Sequence, residues 1–149
     1  MKLFQIEEPD GSPVDPEAPG VAIGIDISGA QAEVAVAVGG NADLLADREG
    51  FALDLAVPAP TAPADDWRDL FEGARLRAER ALAQPVTHAV LALASAPDAA
   101  LGARLQTAGE AAGLTLLQLV ARHEIGTEKA PALAAAILAE DLAPRPGAP

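Results

Sequence analysis

The chain has no cysteine and no tyrosine, and aromatic residues make up 3% of its 149 positions. Without cysteine, a disulfide frame, a thiolate nucleophile and a Cys-ligated zinc site are excluded. With only Phe4, Phe51, Trp67 and Phe71 as aromatics, a core must be assembled mainly from Ala, Val, Leu and Ile. Positive charge is also scarce: 10 Lys and Arg against 22 Asp and Glu give a net charge of −12. Binding nucleic acid needs a basic stripe and binding an anionic membrane surface needs basic clusters, so neither partner is expected. The acidity reads instead as a self-repelling, solvated surface. No apolar run reaches the ~20 residues of a membrane span. Met1 to Glu8 carries no apolar signal core and soon turns acidic, which makes a cytoplasmic location the expectation.

What is present fits one domain with a genuine core. Residues 1–20 contain Pro9, Pro13, Pro16 and Pro19 among acidic residues and read as an extended lead-in segment. Residues 143–149, rich in proline, read as a frayed tail. The globular part is therefore expected over 21–142. Val21 to Ile27 reads as a buried strand, and Ala32 to Val38, β-branched at Val34, Val36 and Val38, as a second. Gly39-Gly40-Asn41 is a turn signal, because two glycines permit positive φ. Asp43 to Ala46 would be a third strand, and alternating Phe51, Leu53, Leu55 and Val57 a further short one.

Asp65 to Ala83 is the clearest helix, with Trp67, Leu70, Phe71, Ala74, Ala78, Ala81 and Leu82 on one face. Gln84-Pro85 should stop it. His88 to Ala94 reads as a strand, Pro97-Asp98 opens a second helix that Gly113 ends, and Leu114 to Val120 is a further strand. Thr127 to Leu142 reads as a third helix with Pro131 in its first turn and Leu133, Ile137 and Leu138 inward. Strands separated by helices should run parallel. The expected fold is thus α/β: an antiparallel βββ meander, then αβαβα, in one mixed sheet. That is the ribonuclease-H-like plan.

Two stretches resemble the Hsp70 family of the actin-like ATPase superfamily. Gly24-Ile25-Asp26-Ile27 through Val34-Ala35-Val36, Gly39-Gly40 and Glu49-Gly50 is similar to that family's first phosphate-binding hairpin. Val86-Thr87-His88-Ala89-Val90-Leu91 through Ala108-Gly109-Glu110-Ala111-Ala112-Gly113-Leu114 to Leu117 is similar to the family's segment closing on an AGL-like turn. The resemblance covers roughly 85 residues and implies a single subdomain, the first half of a domain that normally has two lobes. It implies no counterpart for the catalytic lysine, the second phosphate loop or the adenosine pocket.

The chemistry of the first stretch is thin. A phosphate loop of this type works through backbone N–H groups and hydroxyls on a tight turn. The candidate residues are Asp26, Ser28, Gly29 and Gln31, but Gly29 and Ala30 stand where the family has threonines and Ala32 where it has serine. Asp26 alone is a weak Mg²⁺ ligand; Gly24 and Gly29 are expected to serve the backbone turn. After the last strand, Arg122 and His123 replace the family's acidic residue and proline. His123 beside Glu124 reads as a solvated helix start, and His88 as structural. A two-metal nuclease would need carboxylates beyond Asp26 and Glu72, and Ala94-Ser95-Ala96 offers none.

The expectation is a non-enzyme: a protein-interaction module or accessory subunit without a cofactor, on a degenerate half-domain. The alternative is a nucleotide-responsive half-domain, with a chaperone-like role, completed by another chain. Lys2-Leu3-Phe4-Gln5-Ile6 alternates apolar and polar, so Leu3, Phe4 and Ile6 are candidate partner-binding residues. They would add as a strand to a sheet edge, the chain's own or a partner's.

Overall fold

The structure, a computed structural model, describes residues 21–46, 55–125 and 129–144. Its elements are β1 (Val21–Asp26), β2 (Glu33–Val38), β3 (Asn41–Leu45), α1 (Ala64–Leu82), β4 (Val86–Leu93), α2 (Ala99–Ala111), β5 (Thr115–Ala121) and α3 (Pro131–Leu142). A single 3₁₀ turn, Arg122–Glu124, follows β5. The five strands form one open mixed sheet in the order β3-β2-β1-β4-β5. β1, β2 and β3 pair antiparallel, whereas β4 runs parallel to both β1 and β5. The α/β order expected from the sequence is the one observed. Of the further short strand, the described part is a single bridge between Gln31 and Ala56; Phe51 and Leu53 lie outside the described residues.

The β2–β3 turn shows why two glycines stand together. Gly39 and Gly40 have φ of 62° and 85°, the doubly positive pair that a tight two-residue hairpin requires. Their N–H groups then point the same way, and Glu140 near the end of α3 takes both. Gly39 N–H donates to Oε2 (2.6 Å) and Gly40 N–H to Oε1 (3.0 Å).

The two faces of the sheet are packed differently. On one face Ile23, Ile25 and Leu91 meet Trp67, Leu70 and Phe71 of α1 and Leu105 of α2. Large side chains of this kind stabilise by about 1.5–3 kcal/mol each when buried. α1 buries the expected stripe at its centre, but Ala81 is exposed and Leu82 only half-buried. The helix ends because Ala83 turns left-handed at φ 56° and caps Glu79 O, one residue before the Gln84-Pro85 stop that the sequence suggests. Arg75 and Glu79 tie this face together: Arg75 Nε donates to Ala112 O at the end of α2 (2.8 Å), and its guanidinium pairs with Glu79 (3.0 Å). The other Glu79 oxygen accepts the Val86 N–H that begins β4 (2.9 Å). α2 starts on Asp98, whose side chain accepts from Leu101 N–H (2.7 Å), and stops at Gly113, φ 86°.

On the opposite face the core is made mainly of alanine. Ala35 and Ala37 of β2 meet Ala132 and Ala136 of α3, while Ala22, Val90 and Ala92 meet Ala135 and Ala139. This corrects two readings of the sequence. α3 begins at Pro131, with Lys129 and Ala130 outside it, because proline at the first helical position starts a helix rather than continuing one. Its innermost side chains are alanines; Leu133, Ile137 and Leu138 sit half-buried at the flanks. The cause is Gly24 in the middle of β1. A Cβ there would collide with the α3 backbone, 2.7 Å from Ala132 O and from Ala135 C, and closer still to Ala136 N. Gly24 therefore does not serve a turn: it lets a helix backbone lie directly on a strand. Only short side chains fit around such a contact, which excludes the leucines from the centre.

Gly24→Ala should consequently destabilise the protein by about 3 kcal/mol, the upper end for overpacking, because the obstructing atoms are backbone and have no rotamer to change. At Gly29 no atom lies within 4 Å of an added Cβ, and Gly29→Ala should leave stability within about 1 kcal/mol. Urea unfolding midpoints of the two variants check the contrast.

Candidate functional site

In a parallel sheet, ligands gather beyond the carboxyl ends of the strands. Here that edge is formed by the ends of β1, β4 and β5: Asp26, the Leu93-to-Pro97 connection and the Arg122–Glu124 turn. Alternation places Asp26 on the α3 side of β1, with Ala22 and Gly24. It is the one buried charged residue among the described residues, 7% exposed.

The loop after Asp26 is built around its carboxylate. Ser28 N–H (2.9 Å) and Ser28 hydroxyl (2.6 Å) both donate to Asp26 Oδ1. Ile27 N–H donates to Ala92 O of β4 (2.8 Å), Ala32 N–H to Leu55 O (2.8 Å), and Val57 N–H to Ala30 O (2.9 Å). Gly29, Ala30 and Gln31 are exposed, and Gln31 bridges Ala56. Of the four candidate residues, then, Asp26 and Ser28 are in contact, while Gly29 and Gln31 form the outer rim. Gly29 has neither positive φ nor close neighbours, so the turn does not require a glycine there. The N–H and O–H groups best placed to hold an anion are aimed at an anion the chain supplies itself.

The β5 end is likewise self-engaged. Arg122, His123 and Glu124 form an exposed 3₁₀ turn. Glu124 Oε1 accepts the Ala121 N–H (2.9 Å), so Glu124 caps the end of its own strand rather than serving His123. This turn is separate from α3, and the expected helix start lies at Pro131 instead. Glu72 sits on the exposed side of α1 near Arg75 and does not join Asp26. Among the described residues, no three of His, Asp and Glu come close enough to share a metal ion.

Two hollows remain. One of about 600 Å³ lies at the other end of β1, lined by Val21, Ala37, the Gly39-Gly40 turn, Glu140 and Asp141. Glu140 is held by the turn, and no cationic or nucleophilic side chain lines the space. The second, about 330 Å³, lies between residues 56–58 and Asp66, Asp69 and Leu70 of α1; Asp69 is paired with Arg68 at 3.2 Å. Among the described residues no helix is long and apolar enough to cross a membrane. Leu3, Phe4 and Ile6 lie outside the described residues.

Compared with protein-family models and with curated proteins, the chain matches none.

Sequence reasoning missed Glu140 and the Arg75–Glu79 pair. Both are side chains whose partners are backbone groups of other elements, and a single sequence records only that two adjacent glycines leave N–H groups to satisfy.

His88 on β4 is half-buried with Nδ1 2.7 Å from Thr87 Oγ1, and burial lowers its pKa below the ordinary imidazole value. The neutral form is therefore favoured by folding. Its contribution is complete above the unfolded pKa of about 6.5 and is lost as pH falls through the lower folded value. Stability should decline from pH 7.5 to 5.5 more steeply in the native chain than in His88→Gln, as measured by urea midpoints at each pH. Asp26→Ala should cost about 1–3 kcal/mol by removing the acceptor of a partly buried donor pair, a loss that Asp26→Asn should partly restore in the same measurement.

Proposed function

We propose that the chain is a non-catalytic protein-interaction module or accessory subunit, built on a degenerate Hsp70-like half-domain of ribonuclease-H-like, actin-like architecture. The antiparallel meander followed by parallel βα units supports that architecture. The observation that carries the functional reading is the pair of Ser28 hydrogen bonds to Asp26. A phosphate would need those donors outward, and it would meet a carboxylate where it needs positive charge or a firmly held cation. The loop is explained as a strand-end turn, with Asp26 fixing the path from β1 to β2.

Surface features favour an interaction role. Val38 and Leu44, both on the β2–β3 hairpin, are 73% and 50% exposed. β3 ends the sheet, so its outer N–H and C=O groups have no strand beside them among the described residues.

With millimolar ATP or ADP and Mg²⁺, the melting temperature of the pure chain should stay within about 1 °C of its value in buffer. A rise of several degrees would overturn the proposal in favour of a nucleotide-responsive half-domain completed by another chain. Light scattering of the pure chain and of the complex recovered from its native source then tests the interaction role. A strict monomer that recovers no partner counts against it.

A further inference from the structure

The helix α3 is apolar on every side for most of its length, and we infer that its outer face pairs with α3 of a second copy of this chain, antiparallel, across a twofold axis. The inference rests on the interaction reading and names the partner.

Hydrophobicity supplies the first argument. Pro131 to Ala139, the first nine of the helix's 12 residues, include no charged or polar side chain. By contrast α1, the long helix of the other face, exposes Asp66, Asp69, Glu72 and Arg80. α3 buries Ala132, Ala135, Ala136 and Ala139. At about 3.6 residues per turn, Ala134 and Ile137 then lie on the side turned away from the sheet, with Leu133 and Leu138 on its two shoulders. Leu44, on the α3 side of β3 and 50% exposed, extends the same apolar surface beyond Leu133. A helix apolar all round belongs in an interior, and the sheet covers only one side of this one.

Symmetry and charge choose the occupant. The four outer residues are centred between Ala135 and Ala136. An antiparallel copy centred there sets Leu133 beside Leu138 of the second copy and Ala134 beside its Ile137, and the twofold axis repeats both contacts in reverse. The same register brings Lys129, exposed two residues before the helix, to within about one residue of the level of the second copy's Asp141. Glu140 is engaged by its own hairpin, which leaves Asp141 as the exposed acid of α3. Both Lys129–Asp141 pairs fall where the positive start of one helix dipole meets the negative end of the other. A parallel copy would instead set lysine on lysine and aspartate on aspartate.

Sedimentation equilibrium of the full chain tests this. At about 100 μM the native chain should be a dimer. Ala134→Glu, which places a charge in the centre of the pairing, should weaken association at least tenfold with unchanged helix content by circular dichroism. Lys129→Glu and Asp141→Lys should each weaken it roughly fivefold at low salt, and the double reversal should restore most of the loss. Each single reversal complements the dipole of its own helix, so a weaker dimer would not reflect an unfolded α3. A dimer that tolerates Ala134→Glu, or a double reversal no tighter than the single ones, would overturn the inference. So would a native chain that stays monomeric; recovery of a different protein from the native source would then uphold the interaction reading without this partner.

Discussion

The contact between Gly24 and the backbone of α3 decides much of the rest. Where a helix backbone sits directly on a strand, the neighbouring positions of both must be small. That is why one layer of the core is alanine while the other contains Phe71, Trp67 and the isoleucines of β1. The alanine layer gains little transfer energy per residue and relies on many close dispersion contacts, each about 0.1–0.2 kcal/mol. The side with large residues supplies most of the hydrophobic stabilisation. The sheet is thus held by two different means, bulk on one face and proximity on the other.

A carboxylate that closes a loop recurs through the molecule. Asp26 holds its own turn, Glu124 the end of β5, Glu79 the start of β4, and Glu140 the β2–β3 hairpin. In each case a backbone N–H is satisfied by an acid close to a strand end. The excess of Asp and Glu noted in the composition is therefore partly structural. It also explains why acidic residues near the sheet ends do not gather into a chemical site: these four each have a local backbone donor to serve.

The order of elements was legible because periodicity and breakers are local signals. Gly39-Gly40 had to turn, Gly113 had to end a helix, and the Trp67-to-Ala78 stripe had to face inward. What the sequence concealed was long-range. The leucines of α3 looked like its buried face because hydrophobicity ranks them above alanine, and nothing local reveals that Gly24 brings a strand too close for them. Asp26 was visible as the one polar residue closing an apolar strand, but the direction of the Ser28 donors is a matter of three-dimensional geometry. Glu140 and Gly39 are separated by about a hundred positions, and no pattern in a single sequence joins them.

A layer of alanines is smooth. Side chains that interlock resist sliding, whereas methyl groups of equal height set a spacing but give little purchase along the helix axis. The buried residues of α3 are all alanine, so its centre interlocks little and the helix gains from a stop. The bidentate grip of Glu140 on the hairpin N–H groups supplies one at the far end of the helix, and the Gly24 notch supplies another near its start. Two anchor points, rather than a continuous interlocking seam, fix where this helix sits along its track.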